Sequence, residues 1–578
     1  MKDTDTFPEH EEIIQNIKRK NDLEKKQKEI HAQNQRKKDN IFKAIDSLND
    51  YFTQDDVRLI LAMVSDKPKF EQKKYFLDLS KKTNLSQLEL KNECVILSDE
   101  KQAEFDFSNM TLDEVRQKCY IYISQQNAND LTEFVVNWIK SFNYIYSTQN
   151  DQNVDVWLYD KGCYYPNGKT KISALIRQAT REFYSTTLDN RIQAKIQADT
   201  FIDEEKFYNE TNAEFIPVEN GLLHIKEKKL YEYDPKKIFF NKLPVIFDKD
   251  AECPNINKFL KEVSPDNFEL LEEIAGYILL KDYPLHNWFL FNGKGRNGKG
   301  AYIRLLQSFV GRKNFSNVTI QDINDEPYAL NEIHGKLLNA GGDIPSTTIE
   351  TTGNIKAITG GDTVNAKRKF KTDLQMTPYA KHIFSANEIP DVKDTSDGFY
   401  DRVIFVEFNQ KYLKPEEYKK LKEKKPNYHL IKPEIEDLMQ NELSGFLNVA
   451  LNGLSRLLEK KQFSYKLSME ETKLLYMRKS NNVVAFFQDC CERSKDEYLT
   501  KEDFRAAYQE WCLEEGYDNN ISSDKQIFQT LVQNLGISSK RKLLPVEYVG
   551  ESEQAKLEKV SIWQGIKLKG DNNGKNME

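Results

Sequence analysis

No apolar run in these 578 residues approaches the roughly 20 that a bilayer-spanning helix needs. The opening stretch, "MKDTDTFPEHEE", carries acids where a secretory leader has a positive end and an apolar segment. A chain kept in the cytoplasm, with no membrane partner, is expected. Cysteine is scarce and unpatterned: there are seven, including the adjacent Cys490 and Cys491, and none forms a C-x-x-C. Seven histidines are scattered along the chain. Reduced thiols and no zinc site follow. Net positive charge is also missing. With a formal charge of -7, any nucleic-acid contact has to come from particular basic segments.

The length is too great for one core and implies roughly three or four domains. Residues 1–40 form a charged arm with too few apolar positions for a heptad seam. A solvated helix or disordered segment is expected there, with a basic DNA-binding arm as the other reading. Residues 41–200 carry mostly helical patterns, with a hairpin-like piece at "VDVWLYDKGCYYPNGKTKI" marked by Asn167-Gly168. Residues 201–285 read as an α+β module. Residues 286–410 alternate strand-like and helix-like segments, the pattern of a three-layer α/β nucleotide domain. The polar stretch 411–480 reads as a helical connector. Residues 481–570 suggest three helices and then two strands, the order of a winged helix-turn-helix, leaving 571–578 as a tail.

One segment, "NWFLFNGKGRNGKGAYIRLLQSFVG" (287–311), places an apolar run, a glycine-rich turn and an amphipathic stretch back to back. Gly293, Gly298 and Lys299 match the phosphate-loop spacing of glycine, four residues, then glycine-lysine. In a chain with 24 glycines that match is expected by chance on the order of 0.1 times, so context has to decide. Context favours a nucleotide site. Ala301, Leu305, Leu306 and Phe309 recur at helical spacing until Gly311 can cap the helix. Backbone N–H groups of the turn and the positive helix end make an anion nest, which Lys299 completes. At the next position, Gly300 replaces the Ser or Thr whose hydroxyl normally reaches magnesium. Magnesium keeps several waters and leans on phosphate oxygens and a carboxylate, so water can bridge that gap.

The candidate carboxylate is Asp343, ending the apolar segment of "GKLLNAGGDIP"; an acid that merely starts a loop is the plain alternative. Downstream, "TGGDTVNAKRKFK" gathers Lys367, Arg368, Lys369 and Lys371 on a hairpin-like stretch, either solvated or touching phosphates of a threaded strand. "HIFSANEIPD" ends a strand at Asn387, whose amide can position water at a terminal phosphate. Arg402 precedes the strand of "DRVIFVEF" and suits a finger inserted into a neighbour's site, or a surface ion pair. Asp248 and Asp250 resemble the paired acids of a two-metal polymerase, but no third acid with a nearby histidine completes such a site.

The ordered set "GKGRNGKG", "KLLNAGGD", "TGGDTVNAKRKFK", "HIFSANEIPD" and "DGFYDRVIFVEF" resembles the superfamily-3 helicases of the phage and plasmid primase-helicase type, relatives of the poxvirus primase-helicase. The resemblance covers about residues 205–410 and extends loosely to 481–570. It implies an AAA+-like ATPase core, a homo-hexameric ring, ATP and Mg2+ at subunit interfaces, and 3′ to 5′ movement on single-stranded DNA. Carried onto this chain, the nucleotide is held by Gly293, Lys294, Gly295, Arg296, Asn297, Gly298, Lys299, Gly300 and Ala301. Asp343 is the metal acid, Lys367 to Lys371 the DNA hairpin, Asn387 the sensor and Arg402 the finger. Gly300 and Gly342 depart from the pattern, the latter standing where many members have a second acid, so the catalytic base is left open. Residues 1–200 show neither the polymerase acids nor the zinc cysteines of fused primases.

The expectation is a multidomain α/β protein with a helical N-terminal region, an AAA+-like core and a C-terminal winged helix. It would be a replicative helicase and initiator of a phage-related or mobile element in a bacterial cytoplasm, working with a separate primase or host replication proteins. Origin duplex would be read by "SDKQIFQTLVQNLG", with Lys540, Arg541 and Lys542 beside it on phosphates; winged helices also serve protein contacts. Two rivals stand: a primase-helicase with an unrecognised polymerase site, and an origin-binding protein whose ATPase only drives assembly.

Overall fold

The computed structural model describes residues 40–569 apart from 49–52, 66, 68, 84, 104–106, 150–153, 210–211, 370–372, 395, 422–424, 433, 518–521 and 547–555. The arm, the tail and Lys371 lie outside the described residues. The chain divides into two compact units, one drawn from Met1–Tyr146 and Asn167–Phe201, the other from Ser147–Pro166 and Ile202–Glu578.

Within the described residues the first unit is helical. Helices Gln54–Ser65, Lys69–Thr83 and Gln87–Ala103 bury Val57, Leu61, Val64, Leu79 and Leu90 against one another. Helix Leu112–Ser124 is started by Thr111, which caps the backbone N–H of Glu114 while the Glu114 carboxylate accepts from Thr111 N. The hairpin expected around Asn167-Gly168 turns earlier and belongs to the second unit: strands Val154–Asp160 and Cys163–Tyr165 pair antiparallel through Lys161 and Gly162. Both turn residues have positive φ, 43° and 97°, the geometry that matches strand twist in a two-residue turn. Asn167, at φ 73°, instead starts the helix Gly168–Thr180.

The second unit carries a five-stranded, wholly parallel sheet: β1 (Trp288–Asn292), β2 (Phe315–Ser316), β3 (Leu338–Asp343), β4 (Lys381–Ala386) and β5 (Val403–Glu407), in the order β5-β1-β4-β3-β2. Helices cover parallel strands, and here β4 is buried at every residue and β1 and β5 at all but the last. The covering helices include α1 (Pro254–Val263), α2 (Phe268–Leu279) and α3 (Lys299–Val310), while α4 (Gly353–Gly360) packs against the helix Ile320–Asp325 and the strand Val364–Ala366.

The stretch 411–480, expected as a helical connector, is more integrated than that. Lys411–Leu413 and Tyr428–Leu430 form a short parallel pair. Helix α5 (Leu443–Lys460) then joins the core of the sheet domain, burying Phe446, Leu447, Leu454 and Leu457 in the cluster that holds Phe289 and Ile404. Three glycines set this packing. A Cβ on Gly276 would stand 2.3 Å from Ala450 O, one on Gly453 2.5 Å from Glu272 O, and one on Gly445 2.3 Å from Glu252 O. Between α2 and α5, fully buried Glu273 accepts from Arg456 Nε at 2.8 Å and from Ser464 N at 2.7 Å.

At the C-terminus, helix α6 (Asn482–Cys490) leads directly into strand β6 (Cys491–Thr500), then helices Lys501–Glu514 and Asp524–Gln529, a π-turn at Thr530–Asn534, and strands β7 (Ser538–Val546) and β8 (Lys556–Leu568). The sheet is antiparallel in the order β6-β8-β7, over a core of Phe486, Phe504, Tyr508, Leu531 and Trp563. The third strand, β6, differs from the two-strand expectation; its sequence, "CERSKDEYLT", is polar because little of it is buried.

Candidate nucleotide site

The glycine-rich loop leaves β1 and opens α3. Gly293 and Gly298 have φ of 156° and 89°, and side chains would collide at both. A Cβ at Gly293 would lie 2.1 Å from Asn297 Nδ2 and 2.5 Å from Phe408 O; at Gly298 it would lie 2.5 Å from Val263 Cγ1. Even Arg296 adopts a left-handed φ of 61°, held by Tyr412 N donating to its carbonyl at 2.7 Å and by its guanidinium on both carboxylate oxygens of Glu417 at 2.8 Å. Buried Asn297 braces the loop from inside: Nδ2 donates to Phe408 O at 3.1 Å and Oδ1 accepts from Lys299 N at 3.3 Å. Lys294, Gly295 and Gly300 are exposed, and Ala301 packs partly against the core.

Lys299 is buried, and its ammonium has three acceptors: Asn387 Oδ1 at 3.1 Å, and Asp343 Oδ1 and Ala386 O at 3.2 Å. The structure thus brings Lys299, Asp343 and Asn387 together at the C-terminal ends of β1, β3 and β4. In open parallel sheets this is the edge where ligands bind. Asn387 also donates through Nδ2 to Asp343 Oδ2 at 2.6 Å. Burial pushes the Asp343 carboxyl upward, but the hydrogen bond from Ser385, the Lys299 charge and the Asn387 amide outweigh it and hold the group below its usual range. It is ionised at neutral pH and half exposed, at 47%.

Sequence reasoning missed Ser385, whose Oγ donates to Asp343 Oδ1 at 2.6 Å. Its signal was available: a hydroxyl two residues before Asn387, following the apolar Ile383 and Phe384 in a buried strand, shares that residue's face. A cavity of about 670 Å³ adjoins the loop, lined on its apolar side by Phe259, Ile303, Tyr412, Leu430, Ile431 and Ile435. Among the described residues no group of three or more His, Cys, Asp or Glu gathers as a metal site. A cation here would therefore rely on Asp343, water and the ligand.

Arg402 is not in this cluster. β5 runs parallel to β1 with Val403 beside Trp288 and Glu407 beside Asn292, so Arg402 sits at the opposite end of the sheet. Five residues at about 3.3 Å each separate it from the loop by about 16 Å. Its Nη1 donates to Gly398 O at 2.5 Å, while Nε is buried without a partner.

The hairpin strands Val364–Ala366 and Leu374–Met376 pair antiparallel. Lys367 and Lys369 are exposed, but Arg368 is turned inward, 9% exposed, with Nη2 2.8 Å from Glu204 Oε1. As a phosphate contact it would first have to leave that ion pair. Lys540, Arg541 and Lys542 are exposed on β7, where alternation sends Arg541 to the face opposite its two neighbours. They do not make one patch. Asp248 and Asp250 form a local turn, Asp250 N donating to Asp248 Oδ1 at 3.0 Å, rather than a metal pair.

The sequence matches a family of unknown function (DUF5906) over residues 291–402 and the D5 N terminal like family over residues 141–265. It is 27% identical over 181 residues to putative helicase L207/L206 of Acanthamoeba polyphaga mimivirus, covering 30% of this chain and 19% of that protein. It is 22% identical over 371 residues to putative helicase 121R of Invertebrate iridescent virus 3, covering 57% of this chain and 39% of the relative. The chain thus spans well under half the length of either. Among solved structures it is similar to the A form apo structure of the NrS-1 C terminal region, at a TM-score of 0.37 and 13% identity, over 69% of this chain and 85% of that one. It is also similar to JCV helicase, at a TM-score of 0.20 and 14% identity, over 48% and 63%. No helix among the described residues is long and apolar enough to cross a membrane. The chain is thus similar to the D5 N terminal like family over residues 141–265 and to viral putative helicases over the segments it shares with them.

Proposed function

We propose that the chain is an ATP-hydrolysing replicative DNA helicase with an AAA+-like core. The observation that carries the reading is the Lys299 ammonium held between Asp343 and Asn387 at the mouth of the loop. Those acceptors stand where phosphate oxygens of a bound triphosphate would compete for the same ammonium. Loop N–H groups and the start of α3 cradle the phosphates, and the apolar cavity takes the base. Asp343 would hold Mg2+, directly or through its waters, and the bound ion neutralises charge on the phosphate oxygens. Asn387 orients the attacking water, while Ser385 fixes the Asp343 carboxylate. Arg402, about 16 Å from its own loop, serves a neighbouring protomer's site, as a homo-hexameric ring requires.

In the same reading, Lys367 and Lys369 touch phosphates of single-stranded DNA drawn 3′ to 5′ through the ring. Residues 482–569 form a winged helix that reads origin duplex, with Arg541 on a phosphate and Lys540 and Lys542 on the other face of β7. The setting is a phage-related or mobile element with a separate primase. The deciding experiment is unwinding of a forked duplex with ATP and magnesium. The wild-type chain separates the strands and hydrolyses ATP faster with DNA, and Lys299→Ala loses both. A wild-type chain that binds DNA but never unwinds it would leave only an origin-binding role.

A further inference from the structure

The β7–β8 pair is longer than the sheet it belongs to. β6 lies beside residues 562–568 of β8, whereas β7 follows β8 down to Val546 and Lys556. Residues 541–546 and 556–561 therefore project as a two-stranded ribbon past the end of β6, and Arg541–Leu544 and Leu557–Ser561 stay outside the core cluster of the domain. On one face Lys542 lies over the Tyr498 ring of β6, while a two-stranded extension whose other face is bare is marginal alone and suits a face that binds something.

Its two faces differ. Register places Arg541 opposite Ser561 and Leu543 opposite Lys559, and strand alternation puts Leu557 on that same face. There Leu543 is 57% and Leu557 63% exposed, flanked by two cations. The exposed acid of the ribbon, Glu558, pairs with Leu544 on the opposite face. Exposed leucines between cations, with the carboxylate on the other side, complement a polyanion that also offers apolar surface. The phosphates and base faces of duplex DNA have that combination.

We infer that this face is a wedge for duplex DNA: Arg541 and Lys559 rest on phosphates while Leu543 and Leu557 press into a base step and unstack it. The inference rests on the DNA-reading role proposed for the domain. It adds a melting action to it.

The test uses the full chain without nucleotide, at low salt, and a fully paired duplex carrying 2-aminopurine at a central TA step, a step type that unstacks easily. Wild type should bind and brighten the reporter. Leu543→Ser/Leu557→Ser should bind with an unchanged salt slope and lose the brightening. Because both leucines are exposed, serine opens no core, which an unchanged thermal melt checks. Arg541→Gln/Lys559→Gln should bind more weakly, with a slope shallower by about two, at about 0.9 per phosphate contact. Brightening by the leucine variant equal to wild type overturns the wedge. So does wild-type binding without brightening, and that result leaves the DNA-reading role standing. Failure of wild type to bind duplex at all removes that role itself. If the leucine variant keeps the brightening but changes oligomeric mass in light scattering, the face belongs to a second copy and the wedge is again overturned.

Discussion

Asn387 Nδ2 donates to Asp343 Oδ2 across 2.6 Å, while the oxygen of the same amide accepts from Lys299 at 3.1 Å. One side chain therefore holds both charged groups in register, and its two ends are chemically distinct. Asn387→Ala removes both hydrogen bonds but neither charge. Nucleotide binding, followed with a fluorescent ATP analogue, should persist, while kcat for ATP hydrolysis falls by about 10²- to 10³-fold, the cost of losing one aligned polar group at a reacting phosphate. An unchanged kcat would remove Asn387 from the reaction.

The glycines of the loop should respond in opposite ways. At Gly300 a Cβ meets only the tip of the Arg304 side chain, Nη1 at 3.2 Å. Gly300→Ser should keep ATP hydrolysis and, by replacing glycine inside a helix, add a few tenths of a kcal/mol of stability. Gly298→Ala combines positive φ with a 2.5 Å approach to Val263 and should lose nucleotide binding along with stability. Paired thermal melts and ATPase assays separate the two; equal damage at both positions would mean that position 300, like 298, has no room for a side chain.

What the sequence revealed about this site followed from local chemistry. The spacing of Gly293, Gly298 and Lys299, the apolar β1 and the helical recurrence after it are all set within 25 residues, so they are visible without knowing the fold. Asp343 and Asn387 were legible because each ends a buried strand. Arg368 was misleading for the complementary reason: its partner Glu204 lies 164 residues away, and a run of cations gives no sign of which one is turned inward. The packing of helix α5, expected as part of a helical connector, was hidden by the same distance effect. Its contact with α2 depends on Gly276 and Gly453, small residues whose role is close approach rather than polarity. β6 was missed because an edge strand with few buried side chains lacks the alternation that marks strands.

Buried His382 should make the fold acid-sensitive. Asn339 Nδ2 lies 3.2 Å from its Nδ1, which places the ring proton on Nε2, where there is no partner. Burial, then the neighbouring Lys381 charge, pushes its pKa down to about 3. The unfolded chain takes up this proton near pH 6.5 and the folded chain does not. The stabilisation is therefore complete above pH 6.5 and is lost progressively as pH falls toward 3. Between pH 7 and 5 this one group should remove about 2 kcal/mol, read from urea midpoints. His382→Gln keeps an acceptor for Asn339 and does not titrate, so its decline over that interval should be smaller by that amount. Identical slopes would show that the imidazole is protonated in the fold.

The position of Arg402 predicts complementation between two inactive proteins. In its own protomer it stands at the far end of the sheet from Lys299, beyond the reach of an arginine side chain, so any action on a phosphate has to occur across an interface. Arg402→Ala should lower kcat by about 10³-fold or more with little change in nucleotide affinity. Lys299→Ala should be inactive for a different reason, the loss of the phosphate ligand. When the two are mixed and reassembled, about a quarter of interfaces unite an intact Lys299 from one protomer with an intact Arg402 from the next, since each side of a head-to-tail contact is drawn independently. ATPase activity should therefore reappear on mixing, in proportion to that fraction. If the mixture stays as inactive as its components although light scattering shows mixed oligomers, Arg402 holds Gly398 and the end of β5 within its own chain and is not a finger.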